Sequence, residues 1–168
     1  MMQAPVVITD AREVAFDVSG LPDLAGTPWA RIWLSSREPV WTLVDAEDVP
    51  WLMQWQWNVW HAGKNRGDSW MLYAKRNVGP SRATLRMHRE LSIKDEPNLS
   101  ETFLRTHVVD HINGQTLDNR KANRRWLTKP HNAVIRRPRG TAPSLDEIVR
   151  ELLAGLKARP QLEDIPFD

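Results

Sequence analysis

The sequence predicts an α+β protein: a small tryptophan-rich β module, a compact strand–loop–strand–helix unit and a C-terminal amphipathic helix. Three observations predict it. Short apolar runs separated by Gly-Leu-Pro, Gly-Thr-Pro and Arg-Glu-Pro fill the first third of the chain. Residues 108–136 run from Val-Val-Asp-His through an Asn-Gly turn to a second short run and a capped helix. Leu145, Ile148, Val149, Leu152, Leu153 and Leu156 share one helical face behind a Ser144/Glu147 capping box. The units divide at 1–82, 83–140 and 141–168, with the middle unit centred on about 105–137.

In chain order, strands are expected at Val6–Ile8, Val14–Val18, Ala30–Leu34 and Val40–Val44. Asp45 reads as the N-cap of a helix over Ala46–Trp55, with Glu47 and Asp48 in its first turn. A hairpin follows, Trp57–Trp60 with Ser69–Lys75, closed by Gly63–Asp68. A strand at Ala83–Met87 leads into His88. Eight of the nine tryptophans fall between Trp29 and Trp70, where most serve as core for a thin sheet with few other large residues; Trp60 and Trp70 are the candidates for exposure. Val108 and Val109 lead a strand to Asp110-His111, Arg124–Leu127 forms its partner, and Thr128 caps a helix from Lys129 to about Arg136, with Pro130 tolerated in the first turn. Pro160 ends the last helix. Its stripe packs on the rest of the chain or across a homodimer through Leu145–Leu156.

Composition narrows the chemistry. With 168 residues, 41% hydrophobic and 26% charged, the chain has the make-up of a globular protein, and no apolar run reaches the length of a membrane span. The N-terminal stretch lacks the basic and apolar regions of a secretory signal, so a cytoplasmic setting is expected. The absence of cysteine excludes disulfides, a thiol nucleophile and Cys-ligated zinc or iron–sulfur sites. The net charge of +2 conceals a segregation: residues 1–60 balance at −5, residues 61–140 at +10 and residues 141–168 at −3. A basic middle segment is either a solvated face or a surface for a polyanion.

Within that segment, Asn123 follows His111 by twelve positions and Asn132 follows Asn123 by nine. Taken singly, each has an ordinary reading. Asp110 is a strand-end acid able to pair with Arg120 or Arg124, His111 a turn histidine, and the two Asn surface or capping amides. Taken together, Asp110-His111-Ile112-Asn113-Gly114, Leu117-Asp118-Asn119-Arg120, Asn123 and Asn132 resemble the ββα-metal motif of the HNH endonucleases, closest to the phage- and intron-associated subgroup related to homing endonucleases. Leu43–Asp48, Trp57 and Met87-His88-Arg89 resemble the segment preceding that motif, so the likeness covers about Ile32 to Arg136.

The resemblance implies a metal-dependent DNA endonuclease that hydrolyses a phosphodiester. It implies His111 as the base that activates water, Asp110 and Asn132 as metal ligands, and Asn123 as the residue that fixes the loop and orients His111. The chemistry agrees with these residue types. A neutral imidazole is a workable base near pH 7. A carboxylate with an amide oxygen suits one Mg²⁺, or Mn²⁺, that keeps several waters. No structural zinc is expected. Double-stranded DNA is the expected partner, with Arg120, Lys121, Arg124, Arg125, Lys129, Arg136, Arg137 and His88 as contacts; Arg139, the Lys64–Arg66 turn and Lys75-Arg76 extend that surface. His88 is equally a structural histidine packed on the second strand. The sequence departs from the family at the third motif position, Asn132 where many members carry His, with His131 about 100° away around the helix. It departs again at Arg124, where Leu is usual. Two other classes of function stand beside the nuclease: a catalytically silent DNA-binding protein, and an interaction protein working through its last helix and tail. Glu163–Phe167 resembles the acidic tip of bacterial single-stranded-DNA-binding proteins, which implies a protein partner for a segment that otherwise reads as a plain acidic tail.

Overall fold

The computed structural model describes residues 19–62, 71–135 and 141–158. The expected strands at Val6–Ile8 and Val14–Val18, the Gly63–Asp68 turn, Trp70, Arg136, Arg137, Arg139, Pro160 and the acidic tail lie outside the described residues. The architecture is mixed α+β with three small antiparallel sheets and a C-terminal helix.

Strands β1 (Trp29–Trp33) and β2 (Trp41–Asp45) form a hairpin with Trp29 opposite Asp45 and Trp33 opposite Trp41. The two-residue period of a strand divides this hairpin into two apolar faces. Ala30, Ile32, Leu34 and Val44 enter a core shared with Leu52, Trp57, Ala74, Met87, Leu91 and Leu117. Trp33, Trp41 and Leu43 enter a second core with Leu24, Ile148 and Val149. Burial on both faces explains why these strands read as continuous apolar runs rather than alternating ones. Thr42, opposite Ile32, belongs to the first face and is fully buried.

The helix expected over Ala46–Trp55 is shorter. A 3₁₀ turn at Ala46–Asp48 passes into α1 (Val49–Leu52), and the Asp45 side chain makes no cap bond. Its Oδ2 instead accepts from the backbone N–H of Lys121 at 2.8 Å, so a distant loop takes the acceptor a cap would have used. Trp51, Trp55 and Trp57 stack edge-to-face beyond the turn, and Trp57 Nε1 donates to the Leu52 carbonyl at 2.8 Å. Of the tryptophans expected in the core, Trp33, Trp41 and Trp57 are buried and Trp29, Trp51 and Trp55 are only partly buried against it; Trp60, a candidate for exposure, is half-buried.

The second sheet is ordered β3 (Asn58–His61), β4 (Leu72–Val78), β5 (Ala83–Arg86). Gly79, at φ 72°, provides the left-handed residue of the β4–β5 turn. The division expected after residue 82 falls inside this sheet, and the first core draws on both sides of it. Helix α2 (Met87–Asp95) follows β5 directly and buries Met87, His88 and Leu91. Helix α3 (Glu101–Thr106) is capped by Ser100, whose Oγ accepts from Phe103 N–H at 3.1 Å. Neither helix is assigned in the sequence reading: α2 is short and weakly amphipathic, and α3 makes one and a half turns.

The third sheet pairs β6 (His107–His111) with β7 (Arg124–Thr128), His111 lying opposite Arg124. Thr128 caps α4 (Lys129–Val134), accepting from His131 N–H at 3.3 Å. The expected strand–loop–strand–helix order is therefore present over the described residues 108–135. Helix α5 (Leu145–Ala158) begins with the expected capping box: Glu147 N–H donates to Ser144 Oγ at 3.1 Å, and Ser144 N–H to Glu147 Oε2 at 3.3 Å. Ile148 and Val149 are buried against the β1–β2 face, so the first half of the apolar stripe is covered by the chain itself. No helix among the described residues is long and apolar enough to cross a membrane.

Candidate functional site

The loop between β6 and β7 is organised by Asn123 and Asp118. Asn123 Oδ1 accepts from Asn113 N–H and its Nδ2 donates to the Asp118 carbonyl, both at 2.9 Å, while its own carbonyl accepts from Ile112 N–H at 2.9 Å. A buried Asn suits this task because its amide supplies donor and acceptor together. Asp118 is fully buried; its carboxylate accepts from Asn113 Nδ2 at 2.9 Å and from Arg120 through Nε and a terminal nitrogen at 2.8 and 2.7 Å. The loop docks on β2 through Leu43 N–H to Leu117 O and Asn119 N–H to Leu43 O, each 2.8 Å. Gly114, at φ 80°, makes the tight turn after His111.

His111 ends β6 and is buried at 6% exposure. Its Nε2 lies 2.9 Å from Asn119 Oδ1. Orientation of the imidazole thus belongs directly to Asn119; Asn123, expected to orient it, acts on the loop backbone. The His111 ring packs against His88 at 4.7 Å and Tyr73 at 6.2 Å. Burial lowers the His111 pKa below the ordinary imidazole value, opposed by the Asn119 hydrogen bond and the charges of Asp118 and Asp110. Burial, then the neighbouring His111 and nearby arginines, lowers His88 further. Both shifts favour the neutral form of the ring.

Asp110, His111, Asn132 and Lys129 line one cleft of about 1110 Å³, with His88, Tyr73, Trp60, Arg86 and Arg89 on its other walls. His131, one residue from Asn132, is exposed and is not among the lining residues. Asp110 Oδ2 accepts from Arg125 Nε at 2.9 Å; among the described residues no partner is found for Oδ1. Among the described residues no three His, Asp or Glu gather as a metal cluster. The cleft is lined by the carboxylates of Asp110 and Glu90 and the amide of Asn132; Asp110 with the Asn132 amide oxygen gives hard donors of the kind that suit a single Mg²⁺ or Mn²⁺ retaining waters.

The basic residues divide sharply. Arg124 is 3% exposed in its side chain and donates to the Asn119 carbonyl, Ser92 Oγ and Asp95 Oδ2 at 3.1, 2.7 and 2.9 Å. It is therefore not a phosphate contact. It fills the place of an apolar residue and satisfies its charge internally. Arg120 is likewise committed to Asp118 and 13% exposed. His88 is buried in the cleft wall rather than presented for groove contact. Arg125 pairs with Asp110 but is itself exposed, as are Lys121 and Lys129. Arg86 is a cleft cation the sequence reading does not single out; its guanidinium lies 4.4 Å over the Trp60 ring. Asn119 stands inside the quoted Leu117–Arg120 signature but carries no role there, and nothing local in the sequence marks Thr42.

No protein-family model, curated protein or solved structure matches the chain.

Proposed function

We propose that the protein is a metal-dependent endonuclease that hydrolyses a DNA phosphodiester at the β6–β7–α4 cleft. The reading rests on Asp110, His111 and Asn132 lining one cleft with the exposed Lys129, together with the signature they carry in sequence. His111 is the base: a neutral imidazole on a cleft wall accepts a proton from water. Asp110, whose Oδ2 accepts from Arg125 Nε, and Asn132 would hold one divalent cation. The cation, when bound, supplies Lewis-acid stabilisation for the phosphate and the leaving oxygen. Lys129, Lys121 and Arg86 attract and position the phosphate backbone without reading sequence. Asn123 keeps the loop closed around His111.

The test is supercoiled plasmid incubated with Mg²⁺, Mn²⁺ or EDTA, beside His111→Ala. Nicked or linear product that requires both the metal and His111 supports the proposal. The pairing of Asp110 with Arg125 favours one competing reading, a DNA-binding protein without catalysis. That reading predicts DNA affinity equal in the wild type and His111→Ala, with no cleavage under any metal. A randomised target library, searched for cleaved products, separates it from a nuclease that demands one site.

A further inference from the structure

The Nε2 edge of His111 is wired to the N-terminal hairpin. Leu117 O lies 2.8 Å from Thr42 Oγ1, Thr42 Oγ1 lies 2.9 Å from Asn119 Nδ2, and Asn119 Oδ1 lies 2.9 Å from His111 Nε2. All four groups are buried, Thr42 at 0% and Asn119 at 1% exposure for the whole residue.

The direction of every bond follows from chemistry. A carbonyl oxygen only accepts, so the single hydroxyl proton of Thr42 goes to Leu117. Thr42 Oγ1 then has only lone pairs to offer Asn119, and the amide must present its NH₂ there. The second amide proton faces Met87 Sδ at 3.5 Å. Turning the amide over would set two oxygens against each other in a site without water-like screening. Asn119 Oδ1 therefore faces His111, and Nε2 of the ring must carry the proton. Nδ1, for which no hydrogen bond is found among the described residues, keeps its lone pair.

We infer that Thr42 and Asn119 are positioning residues that set the tautomer of His111, with the Thr42 hydroxyl dictating through the Asn119 amide that Nε2 is protonated and Nδ1 is the basic atom. The inference rests on the nuclease reading for its functional meaning, but the proton placement stands on the hydrogen bonds alone. It also gives the β1–β2 hairpin a task at the site. Leu43 holds the loop by its backbone while its neighbour Thr42, on the opposite face, controls the base.

The experiment is long-range ¹⁵N–¹H correlation of the His111 ring in the full chain at neutral pH, assigned with His111→Gln, for the wild type, Thr42→Ser and Thr42→Val. Protonated Nε2 is expected in the wild type and in Thr42→Ser. Thr42→Val should give mixed tautomers and a cleavage rate constant about 10- to 100-fold lower, the range for residues that orient a reacting group. DNA affinity should stay the same. A wild-type ring protonated at Nδ1 overturns the inference even if Thr42→Val does not fold. So does a folded Thr42→Val with a pure Nε2–H ring and unchanged rate. Nε2 protonation in a protein that cleaves no DNA keeps the relay and removes the nuclease reading; metal-dependent cleavage with Nδ1 protonated does the reverse.

Discussion

His111 and Asn123 sit at the two ends of one loop and carry different burdens. His111 contributes a lone pair in a cleft, so its replacement should be felt in rate: His111→Ala is expected to lower DNA cleavage by about 10²- to 10⁴-fold, the usual worth of a general base, with DNA binding retained in a filter or mobility assay. Asn123 contributes two side-chain hydrogen bonds between loop backbone groups. Asn123→Ala leaves buried groups unsatisfied and should cost about 2–4 kcal/mol in urea unfolding. The arginines show the same division. Arg124→Ala removes one partner of a buried ion pair and should destabilise by about 3–5 kcal/mol while leaving the salt dependence of DNA binding unchanged. Lys129→Ala should do the opposite, with normal stability and a salt slope reduced by about 1. A buried and a solvated cation are indistinguishable in a basic stretch of sequence; only the neighbours of each decide its use.

At the scale of the element, two capped helices offer a controlled comparison. Thr128 caps α4, which carries Asn132, and Ser144 caps α5, which packs far along the chain on β1–β2. Either change to Ala should cost about 1 kcal/mol in chemical denaturation. Only Thr128→Ala should also weaken cleavage, because fraying the first turn of α4 shifts a cleft-lining amide. Both caps were legible, Thr128 ahead of a helix with Pro130 in its first turn and Ser144 in a Ser-x-x-Glu box. The expected Asp45 cap looked equally good locally and is absent, because Lys121 N–H competes for the same carboxylate across the fold. The α2 and α3 helices were not legible, since short helices gain most of their stability from tertiary packing that a period within nine or six residues barely signals.

Over the whole molecule, the first core joins β1–β2, α1, β3–β4, α2 and the β6–β7 loop, so the cleft and the fold stabilise one another. His88 lies in that shared region, its ring 4.7 Å from His111 and its pKa held well below the usual value by burial. The sign of the consequence is set by linkage. The unfolded chain takes up a proton at His88 near pH ~6.5, whereas the folded chain resists it. The stability this neutral His provides is complete above that pH and is lost as the pH falls toward the depressed folded value. Thermal midpoints should therefore drop between pH 7 and 5, and His88→Gln should flatten that drop; an equally steep curve in the variant would assign the loss to other groups. The charge segregation, −5 before residue 61 and +10 over the next segment, acts at this scale too, predicting DNA association that weakens steeply with salt.

Sequence alone determined the α+β class, the order strand–loop–strand–helix around Asp110 and His111, the caps at Thr128 and Ser144, and the spacing that makes His111, Asn123 and Asn132 candidates for one site. These are local facts, written in periods of two and 3.6 residues and in short fixed intervals. Tertiary structure decided which polar groups are spent inside the protein and which face the cleft. It consumed Arg124 and Arg120 in buried pairs, turned Asp45 from cap to clasp, and placed Thr42 against Asn119, 77 residues away. The reason is that a buried donor must find an acceptor wherever the chain brings one, and that match depends on which faces meet rather than on which residues are neighbours in sequence.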